Sequence, residues 1–369
     1  MHIGKLPAAL PLLIDEFGLS LSQSGDLVSI YALLIAGGAL LLGILVSRIG
    51  YIPFAIASLL LCVIGSVLGM IANDKSVLMI SRTCEGFGWI VGVVAFPSLL
   101  NALSAAKDKA VVLGIWGAFM PIGGGSILLA APLLQSIGGW RLVWGLSTLL
   151  SCAGLIATVI ICRRFSTYFV SLGKNRLRTS LSDLYKPEAI AILLCFFVYS
   201  FLFVALTSFL PVLLVEDSKV SLGVAIYWAA LVMISNASGN ISAGWISKSG
   251  LTRTQILSYA SLGMGVLGLL VFSISVPSFR IATAILFAAV GGIIPGTLFA
   301  TAPQVASHAA RVGIIVGFML TGTGIGQLTG PLVLSRAVDW SGQWVAGGIV
   351  CLVVGMAGAL FARGLRNLH

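Results

Sequence analysis

This chain of 369 residues is 59% hydrophobic and only 9% charged, against roughly 25% charged residues in a soluble domain, so water is excluded as its main solvent. The net charge of +10 does not mark a nucleic-acid binder, because the basic residues are scattered through short gaps between apolar segments. Six cysteines (Cys62, Cys84, Cys152, Cys162, Cys195, Cys351) lie in or at the ends of apolar runs without metal-ligand spacing, so they read as packing residues, with no metal site.

In chain order, Ile3 to Ile14 comes first, an apolar stretch that as a helix would reach ~18 Å and fall short of the ~30 Å hydrocarbon core. It predicts a truncated first helix, with the start of the sequence lying inside it. It lacks the basic start and small-residue cleavage site of a signal peptide. Eleven full-length apolar spans follow, at approximately 26–46, 52–72, 77–100, 110–134, 142–162, 189–214, 222–246, 255–274, 281–304, 312–334 and 344–362. The expectation is an all-α polytopic membrane protein in contact with the lipid bilayer. Its 44 glycines suit helices that approach closely through small side chains.

The two halves repeat. Leu10-Pro11-x-Leu13 recurs as Leu210-Pro211-x-Leu213, and Ser47-Arg48-x-Gly50 as Ser247-Lys248-x-Gly250. Gly114, Gly125 and Pro132 correspond in the same way to Gly313, Gly324 and Pro331. The longest polar stretch, 163–188, carries Lys174, Arg176 and Arg178 among its basic residues and divides the chain. The predicted units are an N-terminal bundle at 1–162, a basic linker at 163–188 and a C-terminal bundle at 189–369.

Fourteen Lys and Arg fall on the linker's side of the membrane and six on the other (Lys5, Lys75, Arg141, Lys219, Arg280, Arg336). The positive-inside rule then makes the linker and C-terminus cytoplasmic. Trp140, Trp340 and Trp344 read as anchors at the external boundary, and His308 as a surface residue at the cytoplasmic end of the tenth helix.

Arg82 is the remaining cation, three residues before Glu85 and inside the span 77–100. Charge at mid-membrane costs roughly 2.5–3.5 kcal/mol on insertion scales and generally marks a solute or proton pathway. Arg82 reads as a cation on a cavity wall or as a partner of helix-end carbonyls. Glu85 reads as a proton carrier or a permanent counter-ion. Asn236, Asn240 and Gln327 lie within spans where unpaired amides are costly, so they bond between helices or recognise a solute. Pro295, Pro303 and Gly322-x-Gly324-x-Gly326 predict bends or pliable segments.

Two six-helix halves joined by a basic linker resemble the major facilitator superfamily. Gly43-Ile-Leu-Val-Ser47-Arg48-Ile-Gly50-Tyr51 resembles its loop Gly-x-Leu-x-Asp-Arg-x-Gly-Arg, with Ser47 in place of the acid and Tyr51 in place of the base. Arg82-Thr-Cys-Glu85-Gly86-Phe-Gly88 matches the helix-four pattern Arg-x-x-(Gln/Glu)-Gly-x-Gly. Met120-Pro121-Ile-Gly123-Gly124 partly resembles the helix-five antiporter signature Gly-Pro-x-x-Gly-Gly. Together with Gly139-Trp140-Arg141, this phrasing is similar to the cyanate permease-like (cyanate/nitroimidazole porter) group, which is associated with small anions and other polar solutes.

The resemblance implies a cavity lined by helices one, four, seven and ten, which nominates Trp89, Tyr199, Thr207 and Thr297. It places gating at Arg48, Gly50, Lys248 and Gly250, with helix bending at Pro121, Gly123, Gly124 and Pro295. The implied function is secondary transport of a small polar, anionic solute by alternating access, with proton coupling open. A proton-driven efflux antiporter is one alternative, and a non-transporting partner or inactive product another. The expected setting is a bacterial inner membrane and the expected state a monomer. The sequence holds no nucleotide-binding loop, metalloprotease motif or catalytic triad, so neither enzymatic activity nor a cofactor is expected.

Overall fold

The computed structural model describes residues 2–19, 21–165, 181–308 and 311–366. Lys174, Arg176 and Arg178 of the linker lie outside the described residues. Among the described residues all regular elements are helical: α1 (Lys5–Phe17), α2 (Leu21–Ile49), α3 (Tyr51–Met70), α4 (Lys75–Leu103), α5 (Lys109–Gly117) and α6 (Phe119–Arg164), then α7 (Pro187–Glu216), α8 (Leu222–Ile246), α9 (Arg253–Ser273), α10 (Pro277–Val305), α11 (Val312–Ser341) and α12 (Trp344–Phe361). This follows from the solvent: hydrocarbon offers backbone amides no partner, so each segment satisfies its own.

Among the described residues, ten stretches are long and apolar enough to cross a membrane. One of them, Lys109–Arg164, has 56 residues and turns at Gly138 and Gly139, whose backbone is not helical, so it supplies two crossings and the described residues supply eleven. α1 is the short helix expected, with 13 residues ending at Gly18 in the left-handed region. The fourth of these crossings is itself interrupted at Ala118, between α5 and α6. Pro121 has no N–H to give the carbonyl of Gly117, so the helical ladder lacks a rung beside this break.

Two turns use glycine at positions that correspond in the sequence repeat. Gly50 (φ 108°) turns the chain from α2 to α3, and Gly250 (φ 85°), 200 residues on, turns it from α8 to α9. Side chains other than glycine rarely adopt that conformation.

Within the first half, α3 packs on α4 and α6, and α1 leans on α6; within the second, α7 packs on α11, α8 on α10 and α9 on α12. The halves meet along two seams, α2 against α11 and α5–α6 against α8. Glycine makes both possible. Gly317 lies against the Ala39 carbonyl and the Cα of Gly43, and Gly114 lies against the Asn240 carbonyl and Gly244. The outer surface is apolar, with Leu41, Leu133 and Ile137 exposed towards the position of lipid.

Polar clasps close the ends. Near the end of the linker, buried Asp183 accepts from the Ser307 amide at 3.0 Å and pairs with Lys186 at 2.8 Å and Arg311 at 3.5 Å. Burial opposes its ionisation, yet Lys186 and Ser307 hold its carboxyl well below the usual carboxylate range. At the opposite end, Arg280 is buried against Asp217 at 2.5 Å and donates to the Val271 carbonyl at 3.0 Å.

Three residues assigned above from sequence sit differently. Lys5 is not an external-loop cation but is fully buried, because α1 carries it into the bundle. Trp140 is 3% exposed and donates to Glu16 at 2.7 Å, and Trp344 stacks on Phe272, so both are held by protein groups. Trp340, at 93% exposure, has the position of an interfacial anchor, and His308 is exposed.

The α8–α10 seam offers a direct test. A Cβ on Gly292 would fall within 2.8 Å of the Asn240 amide and closer still to the Asn236 carbonyl. Gly292→Val is expected to cost ~1–3 kcal/mol of stability through overpacking. A thermal melt of the detergent-solubilised protein checks this, and an unchanged midpoint would refute the close approach.

Candidate functional site

Two features occupy the interior: a cluster of charge within the first half, and a small aromatic cavity between the halves.

α4 brings Arg82 and Glu85 to one face, three residues apart and directed at α1 and α3. Arg82 Nη1 donates to Glu85 Oε2 at 2.7 Å and to the His2 carbonyl at 2.9 Å. The other carboxylate oxygen accepts from Ser66 at 2.6 Å and from the Lys5 ammonium. Lys5 also donates to Ser66 at 3.0 Å and stands 4.6 Å over the Trp144 ring. His2 approaches Glu85 at 3.6 Å and shares a hydrogen bond with Ser151 at 3.0 Å. Gly65 of α3 makes room for this, since a Cβ there would fall 2.6 Å from the Glu85 Cγ. Lys5 and Glu85 are fully buried and Arg82 is 2% exposed. Two buried cations therefore face one buried carboxylate. Buried charge survives only when paired and hydrogen-bonded, which explains the density of partners.

An aromatic path leads from the cluster to the cavity. The Arg82 guanidinium lies 4.4 Å over the Tyr31 ring, Tyr31 is 6.3 Å from Trp89, and Trp89 is 6.1 Å from Phe119. Trp89 and Phe119 line a central cavity of about 40 Å³. α7 contributes Tyr199, Ser200 and Phe203, α10 contributes Pro295 and Phe299, and α11 contributes Thr323 and Gln327. The break at Ala118 lets Gly117, Phe119, Met120 and Pro121 all reach it. No ionisable group other than the Tyr199 phenol lines it among the described residues.

The nominated residues thus divide. Trp89, Tyr199, Gln327, Pro121 and Pro295 meet at the cavity. Arg82 and Glu85 meet in the charge cluster. Asn236 stands behind the cavity wall, accepting from the Tyr199 hydroxyl at 3.1 Å and donating to the Ala288 carbonyl at 2.9 Å, while Asn240 donates to it at 3.0 Å. Thr207 bonds back to its own helix at the Phe203 carbonyl, 2.7 Å away, and does not reach the cavity. Thr297 is buried outside the cavity lining. Gly124 packs against Met233, and Gly123 is half-buried beside it. Arg48, Gly50, Lys248 and Gly250 all stand at the turns near the linker end.

Sequence reasoning missed Lys5, His2, Ser66 and Tyr31. Lys5 carried a usable signal, a lone cation inside an apolar helix, which was the argument applied to Arg82. The phenylalanines of the lining, Phe119, Phe196, Phe203 and Phe299, gave none, because phenylalanines are spread through most spans.

A family model described as Major Facilitator Superfamily matches residues 3–331. The quinolone resistance protein NorB of Staphylococcus aureus is 26% identical over 172 residues, covering 47% of this chain and 36% of that protein. The chain thus spans about a third of the length of the curated relatives it matches. Among solved structures, the E. coli fucose:proton symporter FucP superposes with a TM-score of 0.74 at 15% identity, covering 98% of this chain and 95% of that one. The human organic anion transporter MFSD10 (TETRAN) gives a TM-score of 0.75 at 13% identity, covering 98% and 89%. At these identities both likenesses concern the fold alone.

The charge cluster makes a stability prediction. Glu85→Gln leaves Lys5 and Arg82 without an anion and is expected to cost ~3–5 kcal/mol, as breaking a buried pair does. Adding Lys5→Met should restore part of that loss, because one of the stranded cations is gone. Denaturation of the single and double variants in detergent measures it, and strictly additive losses would show that the two groups do not interact.

Proposed function

This chain belongs to the Major Facilitator Superfamily, and from that premise we propose that it carries a small polar anion across the membrane by alternating access, coupled to protons. The observation that carries this reading is the pair of buried cations, Lys5 and Arg82, on the single carboxylate of Glu85. Its surplus positive charge lies one tyrosine ring from the cavity wall, in surroundings of low dielectric where a field reaches far. An anion in the cavity lowers the energy of that charge.

Coupling would follow from charge balance. A proton on Glu85 removes the negative charge that offsets Lys5 and Arg82 and raises the field of both cations at the cavity. Proton and anion then bind more strongly together than apart, which is the thermodynamic requirement for symport. Rocking of the halves along the α2–α11 and α5–α8 seams would alternate access to the cavity, with bending at Pro121 and Pro295 and turns at Gly50 and Gly250.

The division into bundles at 1–162 and 189–369 belongs to the same proposal. With Lys5 moved inside, basic residues number fourteen at the linker end and five at the other, which supports a cytoplasmic linker and C-terminus in a bacterial inner membrane. A monomer suffices for this cycle. The helix-four and helix-five phrasing supports placement in the cyanate permease-like group.

A second reading, efflux of amphipathic compounds, is favoured by the uncharged aromatic cavity and by the likeness to a quinolone resistance protein over about half of this chain. Uptake of labelled small anions into proteoliposomes, with and without an inward proton gradient, separates the two. Gradient-stimulated uptake that Arg82→Gln reduces at least tenfold, with insertion intact, is the outcome expected. Unchanged uptake by that variant would remove Arg82 from the mechanism. Resistance to amphipathic drugs on overexpression, without anion uptake, would favour efflux.

A further inference from the structure

We infer that the central cavity binds a flat, π-bonded solute with a hydrogen-bonding edge, and that aromatic or heteroaromatic carboxylates are the class that also satisfies the anion reading above, on which this inference rests.

The walls come from both halves and are aromatic. Trp89 and Phe119 stand on one side, with Phe119 backed by Trp116 in a stack of 4.6 Å between centroids. On the other side Tyr199 and Phe203 stack at 5.6 Å and 17°, and Phe299 completes the lining. Rings prefer offset-stacked or edge-to-face neighbours, so walls of this kind favour a planar guest over a saturated one of equal size.

The second observation is independent of the rings. Hydroxyls in these helices commonly satisfy themselves by bonding to a carbonyl three or four residues earlier, as Thr207, Ser235, Thr301 and Thr321 do. Ser200 and Thr323 line the cavity, are 2% and 5% exposed, and have no hydrogen-bond partner among the described residues. The buried hydroxyls of Ser98, Ser261 and Thr297 are unpartnered as well, and what sets Ser200 and Thr323 apart is that both line the cavity, where a guest can supply the missing bond. With the Gln327 amide beside them, these two place hydrogen-bonding capacity on α7 and α11, the second half of the chain. A carboxylate oxygen accepts from a hydroxyl or an amide N–H while the ring it carries meets the aromatic walls.

Size bears on how the guest enters. The cavity holds about 40 Å³, whereas an apolar cavity of ~150 Å³ is known to accept benzene. A ring therefore needs the walls to part. Since the walls belong to both halves, their parting is the movement that would expose the cavity, and a flat guest is the shape that demands least of it.

The test compares benzoate, its saturated counterpart cyclohexanecarboxylate and its neutral counterpart benzamide by calorimetric titration of the full chain in detergent. Benzoate is expected to bind about tenfold tighter than cyclohexanecarboxylate, the scale of an aromatic contact beyond burial alone. Trp89→Leu should erase that preference, and Thr323→Val should weaken benzoate at least threefold with the thermal midpoint unchanged. Equal affinity for the flat and saturated acids, or no binding of any flat probe to the folded protein, would overturn the inference. Arg82-dependent uptake of aliphatic anions with benzoate excluded would overturn it and leave anion transport standing. Benzamide binding as tightly as benzoate would keep the flat-solute site and remove the anion reading.

Discussion

Helices in a bilayer cannot be driven together by the hydrophobic effect, because lipid tails are as apolar as leucine, and close backbone packing has to take its place. Each seam of this protein depends on that constraint. Gly317 admits the Ala39 carbonyl between α2 and α11, Gly114 admits the Asn240 carbonyl between α5 and α8, and Gly292 admits the Asn236 carbonyl within the second half. The same residue type that weakens a helix in water holds the halves in register here. Two of the three seams lie between the halves, so the contacts that assemble the protein are also those that a transport cycle would make and break.

Against that dry background the Lys5, Arg82 and Glu85 cluster is costly, and the costs are met locally. Ser66, the His2 carbonyl and the faces of Tyr31 and Trp144 surround it with partners. An arrangement built for stability alone would do as well with apolar side chains of similar volume. What it supplies instead is a surplus of buried positive charge, two cations held on one carboxylate. Tyr31 and Trp89 connect that site to the cavity by ring contacts, not by hydrogen bonds. The cavity can thus stay free of charge and still lie within reach of the cluster's field.

The cavity illustrates how position decides the use of a hydroxyl. Thr207 and Ser200 are on the same helix, yet Thr207 bonds back to Phe203, whereas Ser200 lines the cavity and makes no such bond. Tyr199, between them in function, lines the cavity with its ring and sends its hydroxyl to Asn236 behind the wall. Asn236 in turn orders Asn240 at the seam with α5. Asn236 and Asn240 thus bond to each other and to neighbouring helix groups behind the wall, whereas Gln327 lies in the lining itself.

Much was legible along the chain because hydropathy has one meaning in a bilayer. The eleven crossings, the short first helix, the repeat through Gly50 and Gly250, and the pairing of Arg82 with Glu85 all follow from segment length, turn chemistry or a spacing of three within one helix. Tertiary structure decided whatever joins residues distant in sequence. Lys5 meets Glu85 across 80 positions, which no local spacing encodes. Trp89, Tyr199 and Gln327 share a cavity with Phe119 and Ser200, whereas Thr207 and Thr297, of equal standing in the sequence, do not. The physical reason is rotational: which face of an apolar helix turns inward is set by its neighbours, and a helix hydrophobic all round carries no mark of its own to show it.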